Sequence, residues 1–521
     1  MQVPSIPFKV LALAPFMPQE GGISPQHPIR VDKANVDQVI ESLGPTLDIS
    51  LPKNLCPAGG LSIRFNKLKD FHPDGLIRNT PFLRNLLEAK KFVEEAKTKG
   101  LSQDEVTQRV KSWPDLPLEI KFEPPKLEIK SESPIDEILK MVSMPEGGPT
   151  YSVEIQSFPI QIDSLLRQIL SHLFSHEEMR NLESVWRGLG FFIKQCGLNG
   201  EMTLDIVSAS LENLEETLNH LMPDLIPNPP SLILLDLPFD NSPRSLEGME
   251  KISLFSETLL APTLCWMTPK FFFLDHWKDL EKLSFLPHYV EESAFAKWRR
   301  LRGISSAKWI AAGCNRFLDR YSYGPDNKPV SVYFEESQPL WISPVWAIAS
   351  LIGQSFLKRG WPTRFTEWQT IKLEGLGLNL TEEKRYLPTE VNFTEERTSQ
   401  LIKVGMIPLS SIPNKDIAFI PFETTLSGGS LSYQLFLSRI TQFLFWCKEH
   451  FDTQLEPADI EENLKKAFSL FWEKTGHLTP QRLDISVNKP KPETPAIVRI
   501  LIEPSRQVLP SGEKIELELN W

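Results

Sequence analysis

Apolar positions in the N-terminal part of this chain follow strand-like and helix-like spacings in turn. Between residues 34 and 43, apolar side chains recur at the spacing of an amphipathic helix. Thr80 and Pro81 are residue types that begin helices, and Gly100 is a type that ends them. Strands are predicted for FKVLALA at 8–14, TLDISL at 46–51 and LSIRF at 61–65. These elements predict a small α/β unit.

A proline-rich stretch at 113–149 interrupts this pattern. Its prolines preclude a long helix, while LEIKF at 118–122 and KLEIK at 126–130 alternate like edge strands. An isolated alternating strand needs a sheet edge elsewhere. The stretch is therefore predicted to be either a linker or an exchanged strand arm. A short amphipathic helix is predicted after Pro134, with its apolar positions at Ile135, Ile138, Leu139 and Val142.

From residue 150 onward the patterns predict a larger mixed region of helices and strands. Two amphipathic helices are expected to form a hairpin over 160–196. Ser175 and Glu178 have the spacing of a capping box at the start of the second helix. Further elements are predicted as a buried strand at 231–239, a helix with a core strand within 249–273, a buried helix at 341–360, helices at 431–451 and 459–474, and strands at 497–503 and 514–521.

The last of these strands has two distinct faces. Ile515, Leu517, Leu519 and Trp521 share one face, and charged or polar residues occupy the other. Such a strand can cover a core and still offer a main-chain edge for pairing. We therefore expect it to be exchanged between subunits.

The stretch LESVWRGLGFFI at 182–193 contains no group able to perform chemistry, and its spacing indicates packing. On a helix, Leu182, Trp186 and Leu189 fall on one buried stripe, and Gly188 lies between the last two. Glu183 and Arg187 would form an i, i+4 ion pair beside them. The pattern predicts an assembly motif. A core aromatic residue with a satisfied surface ion pair is the plainer alternative.

Composition narrows the possible functions. The chain has 521 residues, 41% of them hydrophobic, and a net charge of −11. An acidic surface disfavours nucleic acid and anionic lipid as partners. No apolar run is long enough to span a bilayer, and we see no credible signal peptide, so a cytoplasmic protein is expected. Free, mostly buried thiols are predicted for Cys56, Cys196, Cys265, Cys314 and Cys447.

Candidate catalytic and metal-binding motifs are incomplete. His176-Glu177 begins a zincin-like pattern, but Arg180 stands where the second histidine ligand belongs. Cys447 and His450 lack the second pair of ligands that a structural zinc requires. We therefore predict no cofactor, no metal and no enzymatic activity. A hydrolase whose carboxylates, or whose serine and histidine, meet only on folding remains an alternative.

Residues 4–100 resemble the small sheath subunit of the bacterial type VI secretion system. The resemblance covers PFKVLALAPF, then IRVDKANVDQVIESLGPTLDISLPK, then LSIRFNKLKDFHPDGLIRNTPFLRNLLEAKKFV. Its core is the series Asp70, Phe71, Pro73 and Asp74 followed by an apolar helix. The order of these segments carries the resemblance, because each alone is unremarkable.

Residues 150–521 resemble the large sheath subunit of the same machine. The most specific match is LESVWRGLGFF, which supplies Leu182, Glu183, Trp186, Arg187, Gly188 and Leu189. SLILLDLPFD, FLDRYSYG, VYFEES, LWISPVWAIASLIGQSFLKRGW, ending at Gly360 and Trp361, and LIKVGMIPL follow in the family order. We interpret the chain as a fusion, with a small-subunit-like region at 1–112, a junction at 113–149, and a large-subunit-like region at 150–521 that ends in a strand arm.

This resemblance implies a fold, a function and partners. The fold would be a mixed α/β contractile-sheath (phage tail-sheath-like) fold with strand arms exchanged between subunits. The chain would form a helical homopolymer around an inner-tube (Hcp-like) protein, attach to a baseplate, and contract to deliver effectors. An AAA+ recycling unfoldase (ClpV-like) would bind the helix containing Ile135, Ile138, Leu139 and Val142; the alternative for this segment is a linker helix packed on its own domain. The alternative is a non-contractile scaffold, cap or adaptor.

Overall fold

The computed structural model describes residues 6–18, 27–113, 116, 153–198, 200–452, 456–476, 479–488 and 495–521. Side chains are described from residue 157 onward in the helix that begins at Val153. The predicted strands at 118–122 and 126–130 lie outside the described residues, as does the predicted helix with Ile135, Ile138, Leu139 and Val142. The chain forms two compact units: Met1–Leu43, Asn181–Ser322 and Pro339–Trp521 form the first, and Gly44–Arg180 and Tyr323–Gln338 the second.

A seven-stranded sheet organises the first unit. Its strands, in spatial order, are β11 (Met406–Pro408), β8 (Ile310–Cys314), β7 (Thr263–Met267), β6 (Leu232–Phe239), β1 (Phe8–Ala14), β5 (Met202–Ser208) and β2 (Ile29–Val31). All neighbours pair in parallel except β2, which is antiparallel to β5. The inner strands are nearly continuous apolar runs, as expected when helices cover both faces of a parallel sheet.

The position of β1 shows how the small-subunit-like and large-subunit-like regions are related in the fold. β1 belongs to the small-subunit-like region, yet it lies between β5 and β6 of the large-subunit-like region. All seven residues of β1 are in register with β5, from Phe8 with Met202 to Ala14 with Ser208. The compact units therefore cut across the regions predicted at 1–112 and 150–521.

The helices of the first unit account for much of its apolar core. The signature helix (Glu177–Cys196) carries the LESVWRGLGFFI stretch, and its first residues belong to the second unit. The other α-helices are Val36–Leu43, Leu214–Leu225, Pro243–Leu259, Leu286–Tyr289, Ala296–Gly303, Pro344–Arg359, Glu395–Lys403, Leu431–His450 and Pro457–Lys474. Short 3-10 helices span Pro269–Phe272, Trp277–Lys282, Ser293–Phe295 and Ser305–Trp309.

A three-stranded antiparallel sheet closes the C-terminal part of this unit, in the order β14 (Arg482–Asn488), β15 (Ile497–Glu503) and β16 (Ile515–Asn520). The strand β14 was not predicted. Together with the helices Leu431–His450 and Pro457–Lys474, the sheet encloses an apolar cluster. Two short hairpins also lie in this unit: β9 (Asn379–Leu380) with β10 (Tyr386–Leu387), and β12 (Ser410–Ser411) with β13 (Ala418–Phe419).

The second unit consists of a hairpin and several helices. The strands β3 (Thr46–Ser50) and β4 (Gly60–Arg64) pair antiparallel, with Leu47 and Ile49 buried on one face. The helices are Pro73–Asn79, Pro81–Lys99, Gln103–Lys111 and Val153–Ser175, with a 3-10 helix at Leu68–Phe71. Gly100 adopts the left-handed conformation that ends Pro81–Lys99, as predicted.

The predicted capping box at Ser175 is wrong. Ser175 is the last residue of the preceding helix, and its hydroxyl donates to the carbonyl oxygen of His172. The signature helix begins at Glu177, where the amide of Arg180 already donates to the carbonyl oxygen of His176. The chain passes from one helix to the next within a single residue, which leaves no extended serine to act as the cap.

Candidate functional site: the signature helix and the motifs around it

Trp186 anchors the signature helix in the core of the first unit. Its side chain is fully buried, and its indole Nε1 donates to the carbonyl oxygen of Phe16 at 3.1 Å. The two rings lie 5.0 Å apart. Leu182 and Leu189 are buried on the same helix, as their spacing predicts. The apolar stripe of the motif therefore packs against its own chain, with Phe16, just after β1, as its partner.

Gly188 allows a close approach between two helices. A Cβ atom at this position would lie 2.2 Å from Cδ1 of Trp346. Trp346 lies on Pro344–Arg359 and donates its Nε1 to Oδ2 of Asp236 on β6 at 2.7 Å. Burial raises the pKa of Asp236, although the hydrogen bond from Trp346 acts in the opposite direction. Position 188 therefore requires glycine, because an added Cβ would collide with Trp346.

The ion pair predicted between Glu183 and Arg187 is present, but it is not a surface pair. Glu183 is fully buried, and its Oε1 accepts from Nε of Arg187 at 2.5 Å. Arg320, far away in sequence, also donates to this oxygen at 3.3 Å. Asp319 lies 3.9 Å from Arg187. Burial of an isolated carboxylate is costly because the charge loses its hydration. Here the two guanidinium groups offset that cost, so the side chains form a buried ion-pair cluster.

In the second unit, Asp70, Phe71 and Pro73 shape one short segment. Asp70 is buried and accepts from the backbone amides of Asn66 and Lys67 at 2.8 and 3.0 Å. Phe71 stacks on Phe65 with 4.2 Å between ring centroids. Pro73 is the first residue of the helix Pro73–Asn79, where its missing amide hydrogen costs nothing. These residues set the direction in which the helix leaves the 3-10 turn.

Asp74 connects that helix to the segment Tyr323–Gln338. Its carboxylate accepts from the backbone amides of Val330 and Ser331 at 3.1 and 2.8 Å. Burial acts to raise the pKa of Asp74, but the hydrogen bonds from Ser331 and Val330 outweigh it and lower that pKa overall. The sequence offered no signal for this contact, because its partners are more than 250 residues away.

Gly360 and Trp361 lie in the C-terminal apolar cluster, apart from the signature helix. Gly360 has a φ of +73° and ends Pro344–Arg359, and a Cβ there would lie 2.4 Å from the carbonyl oxygen of Thr475. Trp361 is fully buried, with its ring 5.0 Å from that of Phe436 and 5.4 Å from that of Trp472. The motif residues therefore occupy three separate places in the fold and do not converge on one pocket.

The predicted exchanged strand pairs within its own chain. β16 is antiparallel to β15, from Ile515 with Ile502 to Asn520 with Ile497. Ile515 is fully buried, while Leu517, Leu519 and Trp521 are partly buried against the C-terminal cluster. In the described chain, no strand pairs with the outer edge of either β14 or β16. Exchange between subunits stays a prediction, and the free edges are where a neighbouring strand would pair.

Potential metal ligands and cysteine thiols are both present among the described residues. Among them, no group of three or more His, Cys, Asp or Glu side chains is arranged to hold a metal ion. The prediction of free, buried thiols is confirmed for Cys56, Cys196, Cys265, Cys314 and Cys447. Burial raises the pKa of the Cys447 thiol to about 12, far from that of a reactive thiolate. No helix in the described part of the chain is long and apolar enough to cross a membrane.

Comparisons of the sequence identify two regions. Residues 2–113 match the family described as Type VI secretion system, VipA, VC_A0107 or Hcp2. Residues 157–224 and 227–426 match the VipB family, described as EvpB/VC_A0108, tail sheath N-terminal domain. The type VI secretion system sheath protein TssC1 of Pseudomonas aeruginosa is 25% identical over 296 residues. That alignment covers 51% of this chain and 59% of TssC1, so it spans somewhat more than half of the relative's length.

The solved structures that resemble this chain share less sequence identity with it than TssC1 does. The baseplate of the anti-feeding prophage matches with a TM-score of 0.36 and 12% identity, covering 65% of this chain and 76% of that chain. The contracted helical sheath of the same particle matches with a TM-score of 0.35 and 13% identity, covering 64% of this chain and 77% of that chain. The sheath tail protein Lin1278 of Listeria innocua matches with a TM-score of 0.33 and 9% identity, covering 58% of this chain and 59% of that chain.

Proposed function

This chain belongs to the VipB family of tail-sheath proteins and carries a VipA region ahead of it, and we propose that it is a single-chain structural subunit of a cytoplasmic type VI secretion sheath. In this proposal it polymerises around an inner tube, attaches to a baseplate, and contracts to drive effector delivery. The observation that carries the proposal is the presence of both sheath-type regions in one chain.

The fold supports one continuous protomer. Because β1 lies between β5 and β6, the VipA region contributes a central strand to the sheet of the VipB region. Separating the two regions would remove an apolar strand, nearly all of it buried, from the middle of a parallel sheet, which leaves β5 and β6 each unpaired along the edge that faced β1. Fusion keeps this strand at a fixed ratio of one per sheet.

Polymerisation needs contacts that do not close on themselves. Heterologous contacts between identical chains generate helical filaments. The free edges of β14 and β16 fit this requirement, because adding a strand to an edge forms main-chain hydrogen bonds that tolerate rotation of the partner. About five such bonds at roughly 1 kcal/mol each would hold neighbours together while side-chain contacts rearrange during contraction.

The proposed partners follow from the same role. They are further copies of the chain, an inner-tube (Hcp-like) protein, a baseplate and an AAA+ recycling unfoldase (ClpV-like). The unfoldase would bind the segment containing Ile135, Ile138, Leu139 and Val142, which the structure does not describe. A helix bound in a groove uses apolar anchors at this spacing, so Leu139→Asp should abolish retention of the chain by the unfoldase's N-terminal domain. Lys140→Asp, on the opposite face of such a helix, should not.

Sedimentation and negative-stain electron microscopy of the purified chain with inner-tube protein test the proposal. We expect hollow cylinders of constant diameter. With a net charge of −11, copies repel each other, so assembly should increase with added salt until the repulsion is screened. A chain that stays monomeric at high concentration, with inner-tube protein and at all ionic strengths, would contradict the proposal. A cap or adaptor would behave in that way, and no described feature favours it.

A further inference from the structure

Arg439 is a buried cation with no acidic partner in the part of the chain that the structure describes. It lies on Leu431–His450 with only 4% of its surface exposed. Its Nη1 donates to the carbonyl oxygen of Ile6 at 3.3 Å, and its Nε has no hydrogen-bond partner within the described ranges. Among the described residues, no carboxylate lies within ion-pair distance of the guanidinium group. Buried arginines normally have such a partner, because desolvation of an unpaired charge is costly.

Aromatic rings compensate part of this cost. The guanidinium carbon lies 4.7 Å from the ring centroid of Phe356, 5.7 Å from that of Phe471 and 5.8 Å from that of Trp361. Cation–π contacts stabilise a desolvated cation, but they act on its face and leave the in-plane N–H donors unsatisfied. Burial lowers the pKa of Arg439 to about 10, which still leaves the group charged at neutral pH. The Nε donor, which lies in the guanidinium plane, has no hydrogen-bond partner among the described residues.

Arg439 is one of the residues that line a cavity of about 500 Å³, which we call the Arg439 cavity. Lys358, Arg359 and Lys474 also line it, and Glu201 is the one carboxylate among the lining residues. Lys358 donates to the carbonyl oxygen of Thr370, and Arg359 lies 3.8 Å from Glu367, so part of this positive charge is already engaged. The cavity is thus positively charged, although the chain as a whole has a net charge of −11.

We infer that the Arg439 cavity binds an oxyanion of the carboxylate or phosphate type. A planar guanidinium group pairs with two oxygens of such a group at once, and the buried position strengthens that bond. The cavity volume accommodates a small free anion or the acidic side chain of a second copy of the chain. Gly360, whose Cβ would collide with Thr475, lets the two chain segments that line the cavity approach each other. The inference does not depend on the proposed sheath function.

Calorimetric titration with inorganic phosphate, and separately with acetate, tests the inference against sodium chloride at equal ionic strength. Wild-type chain should bind one anion per chain with a saturable isotherm. Arg439→Met should weaken binding roughly 10- to 100-fold, because it removes a charge-assisted bidentate contact. Lys474→Met, at an exposed rim position, should weaken it several-fold. Arg244→Met is the matched control, since Arg244 pairs with Glu212 on an exposed helix face, and it should bind like wild type.

Where Arg439→Met does not fold, Arg439→Lys and Lys474→Met decide the question, because the first keeps the charge without the planar fork. Absence of saturable binding in wild type overturns the inference, as does equal affinity in wild type and both of these variants. Sedimentation with saturating phosphate separates the two sources of the anion. Dissociation of assembled chain by phosphate indicates an acidic side chain of a second copy, and unchanged assembly indicates a free anion.

Discussion

The indole Nε1 of Trp186 donates to the carbonyl oxygen of Phe16, and this bond joins the signature helix of the VipB region to the chain just after β1 of the VipA region. Both side chains are fully buried. The most specific stretch of the sequence thus contacts the chain just beyond the strand that the small-subunit-like region contributes to the central sheet. The contact makes the start of the VipA region part of the core of the first unit.

Trp186→Ala should therefore destabilise the whole first unit. We expect a loss of about 3–5 kcal/mol in the free energy of unfolding, because a large cavity forms and the carbonyl of Phe16 loses its donor. Denaturant titration of the dispersed chain measures this loss. Trp368→Ala is the control, since Trp368 is 39% exposed, and it should cost much less. Equal losses in the two variants would show that Trp186 does not hold the core together.

Gly188→Ala should destabilise the chain although alanine favours helices. The added Cβ would lie 2.2 Å from the ring of Trp346, so Trp346 must move and its bond to Asp236 weakens, at a cost of about 1–3 kcal/mol. Gly303→Ala is the matched helical control, because a Cβ added there would have no other atom within 4 Å. It should be neutral or stabilise by up to about 1 kcal/mol. Thermal melts of both variants check the difference, and a neutral Gly188→Ala would contradict the close approach.

Asp74→Asn should reduce stability at neutral pH, and the effect should vanish in acid. The folded-state pKa of Asp74 is lowered below its ordinary value of 3.8, so the ionised carboxylate stabilises the fold above that value. This contribution is lost as the pH falls through the lower folded-state pKa. Unfolding measured from pH 7 down to acid should show wild type and variant converging. Asp48→Asn, at an exposed position on β3, is the control, and a constant gap between Asp74→Asn and wild type would refute the assignment.

Removal of Lys514–Trp521 should lower the melting temperature, because β16 pairs with β15 of its own chain. The truncation removes Ile515 from the C-terminal cluster and uncovers β15, which we expect to cost at least about 2 kcal/mol. Glu516→Gln keeps the strand and its pairing, so it should melt like wild type. Circular dichroism together with electron microscopy checks both. A truncated chain that melts normally and still forms cylinders would show that β16 neither covers the core nor joins subunits.

Local apolar patterns predicted many of the elements. The strand at 8–14 has the predicted bounds, and the buried helix predicted at 341–360 is Pro344–Arg359. Both follow from strong local runs whose burial depends little on the rest of the chain. β14 was missed because its weak alternation buries only Ile485 and Val487 and becomes a strand through pairing with β15.

Contacts between distant parts of the chain could not be predicted from spacing. The pair of Glu183 and Arg187 follows from one helical turn, but burial of that pair depends on Arg320, 137 residues away. The partners of Asp74 and the position of β1 in the sheet likewise depend on contacts between residues far apart in sequence. A single sequence holds no local signal for such pairings, because they arise only when the chain has folded.

The central claim is that one chain supplies both sheath subunits, and the composition of purified cylinders tests it most directly. Cylinders should be isolated from cells that lack separate small and large sheath subunits, and their protein analysed by mass spectrometry and helical reconstruction. We predict a wall built from one kind of chain, one copy per repeating unit, with β1 seen between β5 and β6 in each copy. Cylinders that form only when a separate sheath subunit is supplied, or that contain two different wall chains, would contradict the account.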